Sequence, residues 1–165
     1  MNPLHKDFLK ILSEYQGIIH KVNMVYFKTK SDREDNFQEV VFQLWKSFPS
    51  LNDRTKIGSW MYSVAINTSI SKIRKDKRYV LMDTLPDIEH TDGEENIVNR
   101  INSEQLLDAI QKLNEVDKSI MLLYLEEYSY EQIAGIIGIS ISNVGVRINR
   151  AKKQLQTILL TNKNK

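Results

Sequence analysis

Ser129-Tyr130-Glu131-Gln132-Ile133-Ala134-Gly135-Ile136-Ile137-Gly138-Ile139-Ser140 is the stretch on which the fold turns. Ser129 followed three residues later by Gln132 makes a capping box, so a helix starts there. Gly138 ends it, because glycine enters the left-handed conformation of a helix terminus without a Cβ clash. Ser140 or Ser142 then caps a second helix, whose Val144, Ile148, Ala151 and Leu155 form one buried stripe. Ser142, Asn143, Gly145, Val146, Arg147, Asn149, Arg150 and Lys153 lie at or near its other face. Ala134 is small where the two helices must approach closely. This is helix-turn-helix grammar, in which the second helix offers polar and basic groups to a DNA major groove. An ordinary helical hairpin with a solvated face is the competing reading, and the turn glycine, the fresh caps and the acid-free basic face weigh against it. Arg147 and Arg150 become candidates for base or phosphate contact, with Ser142 and Asn143 near the helix start and Lys152 and Lys153 neutralising phosphates.

Working outward, apolar spacing marks the other helices. Leu4, Phe8, Ile11, Leu12, Tyr15, Ile18, Ile19 and Val22 follow the three-and-four pattern of an amphipathic helix. Ser31 with Glu34 reads as a capping box, after which Phe37, Val40, Val41, Leu44, Trp45 and Phe48 define an inner face that Pro49 terminates. Beyond a polar stretch from Ser50 to Lys56, Ile57, Trp60, Met61, Val64, Ala65, Thr68 and Ile73 share a third face, and Trp60 on that stripe reads as core. These helices predict one small domain over residues 1–78. Residues 79–96 carry Pro86, Gly93 and six acids with few apolar residues to offset the entropy of ordering, and read as a flexible acidic linker. Helical spacing resumes with Ile97, Ile101, Leu106, Leu107, Ile110 and Leu113, so residues 97–165 predict a second helical domain. The expected fold class is therefore all-α, two small helical domains with the helix-turn-helix in the second.

Composition agrees and excludes alternatives. Six glycines and three prolines in 165 residues disfavour a turn-rich β sandwich. The absence of cysteine excludes a disulfide framework, a thiolate zinc site and a cysteine nucleophile. No apolar run is long enough to span a membrane, and Lys6, Asp7 and Lys10 stand where a signal peptide would have its apolar core, so the expected location is cytoplasmic without membrane insertion. His5, His20 and His90 are isolated, and there is no His-Glu-x-x-His, phosphate-binding glycine loop or Gly-x-Ser-x-Gly. Neither an enzyme nor a bound metal or cofactor is expected. The net charge of +2, from 23 Lys+Arg against 21 Asp+Glu, hides a segregation. Lys72 to Arg78 holds five basic residues and one acid, Asp83 to Glu95 six acids and no Lys or Arg, and Arg147 to the terminus six basic residues and no acid. Two cationic blocks flanking an acidic segment suit two polyanion-binding surfaces, and the near-neutral sum implies weak DNA binding by the free protein.

Further stretches carry a family resemblance. Leu113-Asn114-Glu115, Leu122-Leu123-Tyr124-Leu125-Glu126 and Tyr128-Ser129-Tyr130-Glu131-Gln132-Ile133-Ala134 resemble domain four of the extracytoplasmic-function sigma factors, bacterial initiation subunits with two DNA-binding helical domains. Asp35-Asn36-Phe37-Gln38-Glu39-Val40-Val41-Phe42-Gln43-Leu44-Trp45 resembles that family's polymerase-binding helix, and Ser59-Trp60-Met61-Tyr62-Ser63-Val64-Ala65-Ile66-Asn67-Thr68 its helix for the −10 element. The resemblance implies that core RNA polymerase, through its β′ clamp helices and β subunit, and promoter DNA are the partners. It implies polymerase contact by Asp35, Gln38, Glu39 and Gln43. It gives Asn67 a part in holding a flipped base, in a pocket formed by Asn52, Asp53, Arg54, Thr55 and Lys56, with Lys72, Arg74 and Lys75 along the phosphates. It assigns the −35 element to the helix-turn-helix, and family members are commonly held inactive by an anti-sigma factor. The chain departs from the pattern at Leu51-Asn52-Asp53-Arg54, where Phe-basic-Gly-acid is frequent, and at Gly145 and Val146, where a basic or hydroxyl residue is frequent. A stand-alone helix-turn-helix regulator with an N-terminal effector or dimerisation domain is the alternative, but such a domain has no reason to carry the Asp35–Trp45 and Ser59–Thr68 stretches.

Overall fold

Small polar residues set the helix starts. The computed structural model describes residues 2–80 and 98–163, and the expected acidic linker lies outside them from residue 81 onward. Asn2 accepts the Leu4 backbone N–H at 3.0 Å, ahead of Pro3 at the first position of α1 (Pro3–Tyr26). Thr29, in extended backbone, accepts from Asp32 N at 3.1 Å and opens α2 (Lys30–Ser47). The expected Ser31–Glu34 box is therefore not the cap, because the threonine two residues upstream already ends the extended segment and leaves Ser31 inside the first turn. Pro49 lies in a 3-10 turn, Phe48–Ser50, which ends α2 as expected. A second turn, Arg54–Lys56, leads into α3 (Ile57–Val80), which runs two residues past the expected domain edge at 78. The second unit comprises α4 (Val98–Gln111), α5 (Glu115–Leu125), α6 (Tyr130–Ile137) and α7 (Ile141–Lys163). The described residues contain helices and turns and no strand. None of these helices is long and apolar enough to cross a membrane.

In the first unit Ile19, Val22, Val40, Leu44, Met61, Ala65 and Ile66 are buried between α1, α2 and α3. A polar knot runs through this apolar centre. The Asn36 amide donates to Asn23 Oδ1 at 2.7 Å and to Ser69 Oγ at 2.9 Å, while Asn23 Nδ2 donates to the Arg33 carbonyl. Two of these bonds tie α2 to α1 and the third ties α2 to α3, so the knot fixes the register of all three helices where apolar contacts alone would let them slide. Trp60 packs against this core beside Phe48, in agreement with the stripe that contains it.

The two units are docked, with α1 packed against α4 and α5 as well as against α2 and α3. The buried Tyr26 hydroxyl donates to the Glu115 carbonyl, and Gln111 Nε2 donates to the Met24 carbonyl at 2.8 Å. Ion pairs Lys21–Glu126, at 2.7 Å, and Lys77–Glu115 flank these bonds. Tyr62 and Tyr128 meet edge to face at 5.5 Å. At Gly58 the two units approach so closely that a Cβ would stand 3.1 Å from the Tyr128 hydroxyl.

Burial pushes the Tyr26 phenol far above its usual range, so it stays a donor. The hydrogen bond from the Lys77 ammonium holds the Glu115 carboxyl below the usual carboxylate range. A depressed folded value stabilises docking above the ordinary carboxylate range, and that contribution is lost as pH falls through the lowered value. Protection of α5 amides from hydrogen exchange, relative to the intrinsic rate at each pH, is expected to fall on acidification below the ordinary carboxylate range more in the native chain than in Glu115→Gln; equal pH profiles would disprove the linkage. Tyr26→Phe is expected to weaken docking by about 1 kcal/mol, one hydrogen bond's worth.

Candidate nucleic-acid interface

The helix-turn-helix is built as its residues require. Both halves of the Ser129 capping box form: Ser129 Oγ accepts from Gln132 N at 3.1 Å, and the Gln132 side chain accepts from Ser129 N at 2.9 Å. Gly138 takes φ 84°, where a side chain would be strained, and its N–H returns to the Ala134 carbonyl at 2.8 Å. Of the two serines that could cap α7, Ser140 does so, accepting from Asn143 N at 3.1 Å. Val144, Ile148 and Ala151 are fully buried, as the stripe predicts, against α5 and α6.

Side-chain contacts then divide the polar face of α7 into two edges and a centre. On one edge Arg147 Nη1 donates to Asp117 Oδ1 at 2.8 Å, and Asp117 is only 1% exposed. Asn114 Nδ2 bonds the other carboxylate oxygen at 2.8 Å, while Asn114 Oδ1 caps α5 by accepting Asp117 N. Arg147 therefore positions the second helix on α5. On the other edge Lys152 Nζ donates to the Tyr124 hydroxyl at 2.8 Å and lies over its ring, and Gly145 faces the Tyr130 ring. Between the edges Ser142, Val146, Asn149, Arg150 and Lys153 are exposed as one strip. Arg150 and Lys153 have no ion-pair partner among the described residues, and Asn143 is exposed beside the helix start.

In the first unit a groove of about 630 Å³ between α2 and α3 gathers Asp35, Glu39 and Gln43 from one wall and Asn67, Lys72 and Lys75 from the other. The expected polymerase and −10 residues thus share one mixed-charge surface. Asn67 is exposed, with only a long 3.5 Å bond to Ser63. None of residues 52–56 lines this groove. Asn67 lies ten positions along α3 from Ile57, about 15 Å of rise. Within the loop Asp53 is turned onto its own backbone: bonds from the Thr55 hydroxyl, then from the Thr55 N–H, hold its carboxyl below the usual range. Arg54 lies 5.0 Å over the Phe48 ring and 3.6 Å from Asp7. Asn52, Lys56, Arg74 and Lys75 are exposed, and Lys72 lies over the Phe27 ring. On α2, Asp35, Gln38 and Glu39 are exposed and Gln43 donates to Glu39 at 3.0 Å. Phe42, on the same side and 56% exposed, had not been singled out by the sequence, although it stands outside the inner-face series and so was detectable as a misplaced aromatic.

A helix-turn-helix unit docked on a three-helix unit with a charged groove defines a two-part helical nucleic-acid-binding protein. The Sigma-70 region 2 family model matches residues 11–79, and the Sigma-70, region 4 model matches residues 103–155. The chain belongs to the sigma-70 family of RNA polymerase sigma factors. It is 26% identical over 162 residues to the RNA polymerase sigma factor YlaC of Bacillus subtilis, covering 92% of each chain. It is 27% identical over 151 residues to SigV of the same species, covering 91% of this chain and 89% of the relative. Its fold is similar to that of the sigma factor RpoE in complex with the anti-sigma factor NepR from Bartonella quintana, with TM-score 0.72, 20% identity and coverage of 93% and 97% of the two chains. It is also similar to CnrH in complex with the cytosolic domain of CnrY, with TM-score 0.67, 14% identity and coverage of 95% and 90%.

The Arg147–Asp117 pair yields a test by double-mutant cycle. Arg147→Ala and Asp117→Ala are each expected to destabilise the second unit by about 3 kcal/mol, because each strands the other charge in a largely buried site, and the double variant by clearly less than the sum. Denaturant titration measures this, and simple additivity would remove the positioning role. Gly145→Ala is expected to stabilise the chain by about 0.5–1 kcal/mol by improving helix propensity, since its new Cβ would meet Tyr130 at an ordinary 3.6 Å; unchanged thermal unfolding would refute it.

Proposed function

We propose that this chain is a promoter-specificity subunit that binds core RNA polymerase, places α7 on the −35 element, and uses α3 and the loop before it to hold the opened −10 strand. The observation that carries the reading is the order of the two family matches along one chain, region 2 and then region 4, with the region 4 unit ending in a helix-turn-helix whose exposed strip is cationic. Such a subunit supplies recognition and no covalent chemistry, and acts in the cytoplasm where polymerase and chromosome meet. A stand-alone regulator is not favoured, because the first unit then has no reason to match region 2. One solved neighbour is a sigma factor in complex with an anti-sigma factor, and another was captured with the cytosolic domain of a second protein, which supports an anti-sigma factor as a further partner here.

On this reading Asp35, Gln38, Glu39 and Gln43 form a polar rim on α2, and Phe42 is the apolar anchor at its centre. Asn67, with only a weak internal bond, is free to pair with an unstacked base, and Lys72, Arg74 and Lys75 follow the strand along α3.

Run-off transcription with purified core polymerase tests the assignment: the chain is expected to produce a promoter-specific transcript, and binding to duplex promoter alone without any transcript would defeat it. Phe42→Ala is expected to weaken holoenzyme assembly about fivefold or more, measured by titration of labelled core polymerase. Asn67→Ala is expected to slow promoter opening while leaving assembly intact, and loss of assembly would instead reassign α3.

A further inference from the structure

The exposed strip of α7 has an apolar residue at its centre. Val146 is 54% exposed, in the second turn of the helix, with Ser142 one turn before it and Asn149 and Arg150 one turn after. The fold gains little from valine here. Its side chain is outside the buried stripe of Val144, Ile148 and Ala151, and a β-branched residue on a solvated helix surface lowers helix propensity. Nor is Val146 covered by a neighbour as Gly145 is by Tyr130 or Arg147 is by Asp117. Both flanking contacts tie down the edges of the helix and leave Val146 at the crest, where a helix entering the major groove brings its first turns nearest to the bases. The major groove presents one apolar group, the C5-methyl of thymine.

We propose that Val146 is a specificity-determining residue that packs on a thymine methyl in the upstream promoter element. The occupant is DNA and not an apolar protein surface, because the strip around Val146 is polar and cationic, and no Asp or Glu follows Glu131 in the chain. Ser142 and Asn149 can bond the neighbouring base edges, while Arg150 and Lys153 lie where they can reach guanine or the backbone. Where the family pattern has a hydroxyl or basic residue that reads hydrogen-bonding edges or phosphate, this chain reads a methyl group. The inference rests on the assignment of α7 to the −35 element.

Uracil, which is thymine without that methyl, provides the test. Holoenzyme carrying the full chain would be used to select an upstream element from a duplex library randomised over that region, and each thymine of the winning sequence would then be replaced in turn by deoxyuridine. One replacement is expected to weaken holoenzyme binding about fourfold, the worth of one buried methyl, while the others have little effect. Val146→Ser, at an exposed site where folding is not at stake, is expected to bind thymine and uracil versions equally. A native chain indifferent to every uracil replacement, or a Val146→Ser variant with undiminished methyl preference, would overturn the role of Val146 and leave the −35 assignment standing. Failure of the holoenzyme to enrich any upstream element would overturn the assignment and the inference with it.

Discussion

Asp117 is a carboxylate almost wholly removed from water, and the second unit is arranged around supplying its partners. A buried charge left alone is costly, so the pose of every element near it is constrained. Asn114 both caps α5 and bonds the carboxylate, and Arg147 reaches it from α7. The angle at which α7 presents its exposed strip is therefore set by an ion pair on its edge as well as by Val144 and Ile148 beneath it. Apolar packing alone tolerates sliding by fractions of a turn, whereas a paired buried charge does not.

The first unit solves the same problem with neutral groups. Asn36, Asn23 and Ser69 join α1, α2 and α3 through hydrogen bonds in a core otherwise made of aliphatic side chains. Asn36 faces inward within the very stretch whose outward residues Asp35, Gln38 and Glu39 are proposed to contact the polymerase. One turn of α2 thus holds its own helix in register and presents the face proposed to dock on polymerase.

Helix positions, the turn at Gly138 and the inner stripes were legible because capping and apolar periodicity act over a few residues. The start of α2 was misplaced by two residues because Thr29 and Ser31 are both competent caps, and only the extended backbone at Thr29 decides between them. Arg147 was legible as a cation near the polar face, but its partner is thirty positions away and carries no sign of burial in its local sequence. Asn67 stands ten positions along α3 from Ile57, which follows the loop that was expected to enclose it, a rise that a count along one α-helix supplies. The docking of the two units was the least legible feature, since it depends on single contacts such as Tyr26 with Glu115 between residues far apart in the chain.

Glu115 and Asp117 occupy the same first turn of α5. One fastens that turn to α1 and α3, and the other fastens it to the helix proposed to read DNA. Two binding events that pull on one turn of backbone are energetically linked, and linkage is reciprocal. By whatever factor separation of the units alters the affinity of α7 for its element, occupation of that element alters the ease of separation by the same factor. Separation of the units and occupation of the element would then each prepare the chain for the other, with three consecutive residues as the shared joint.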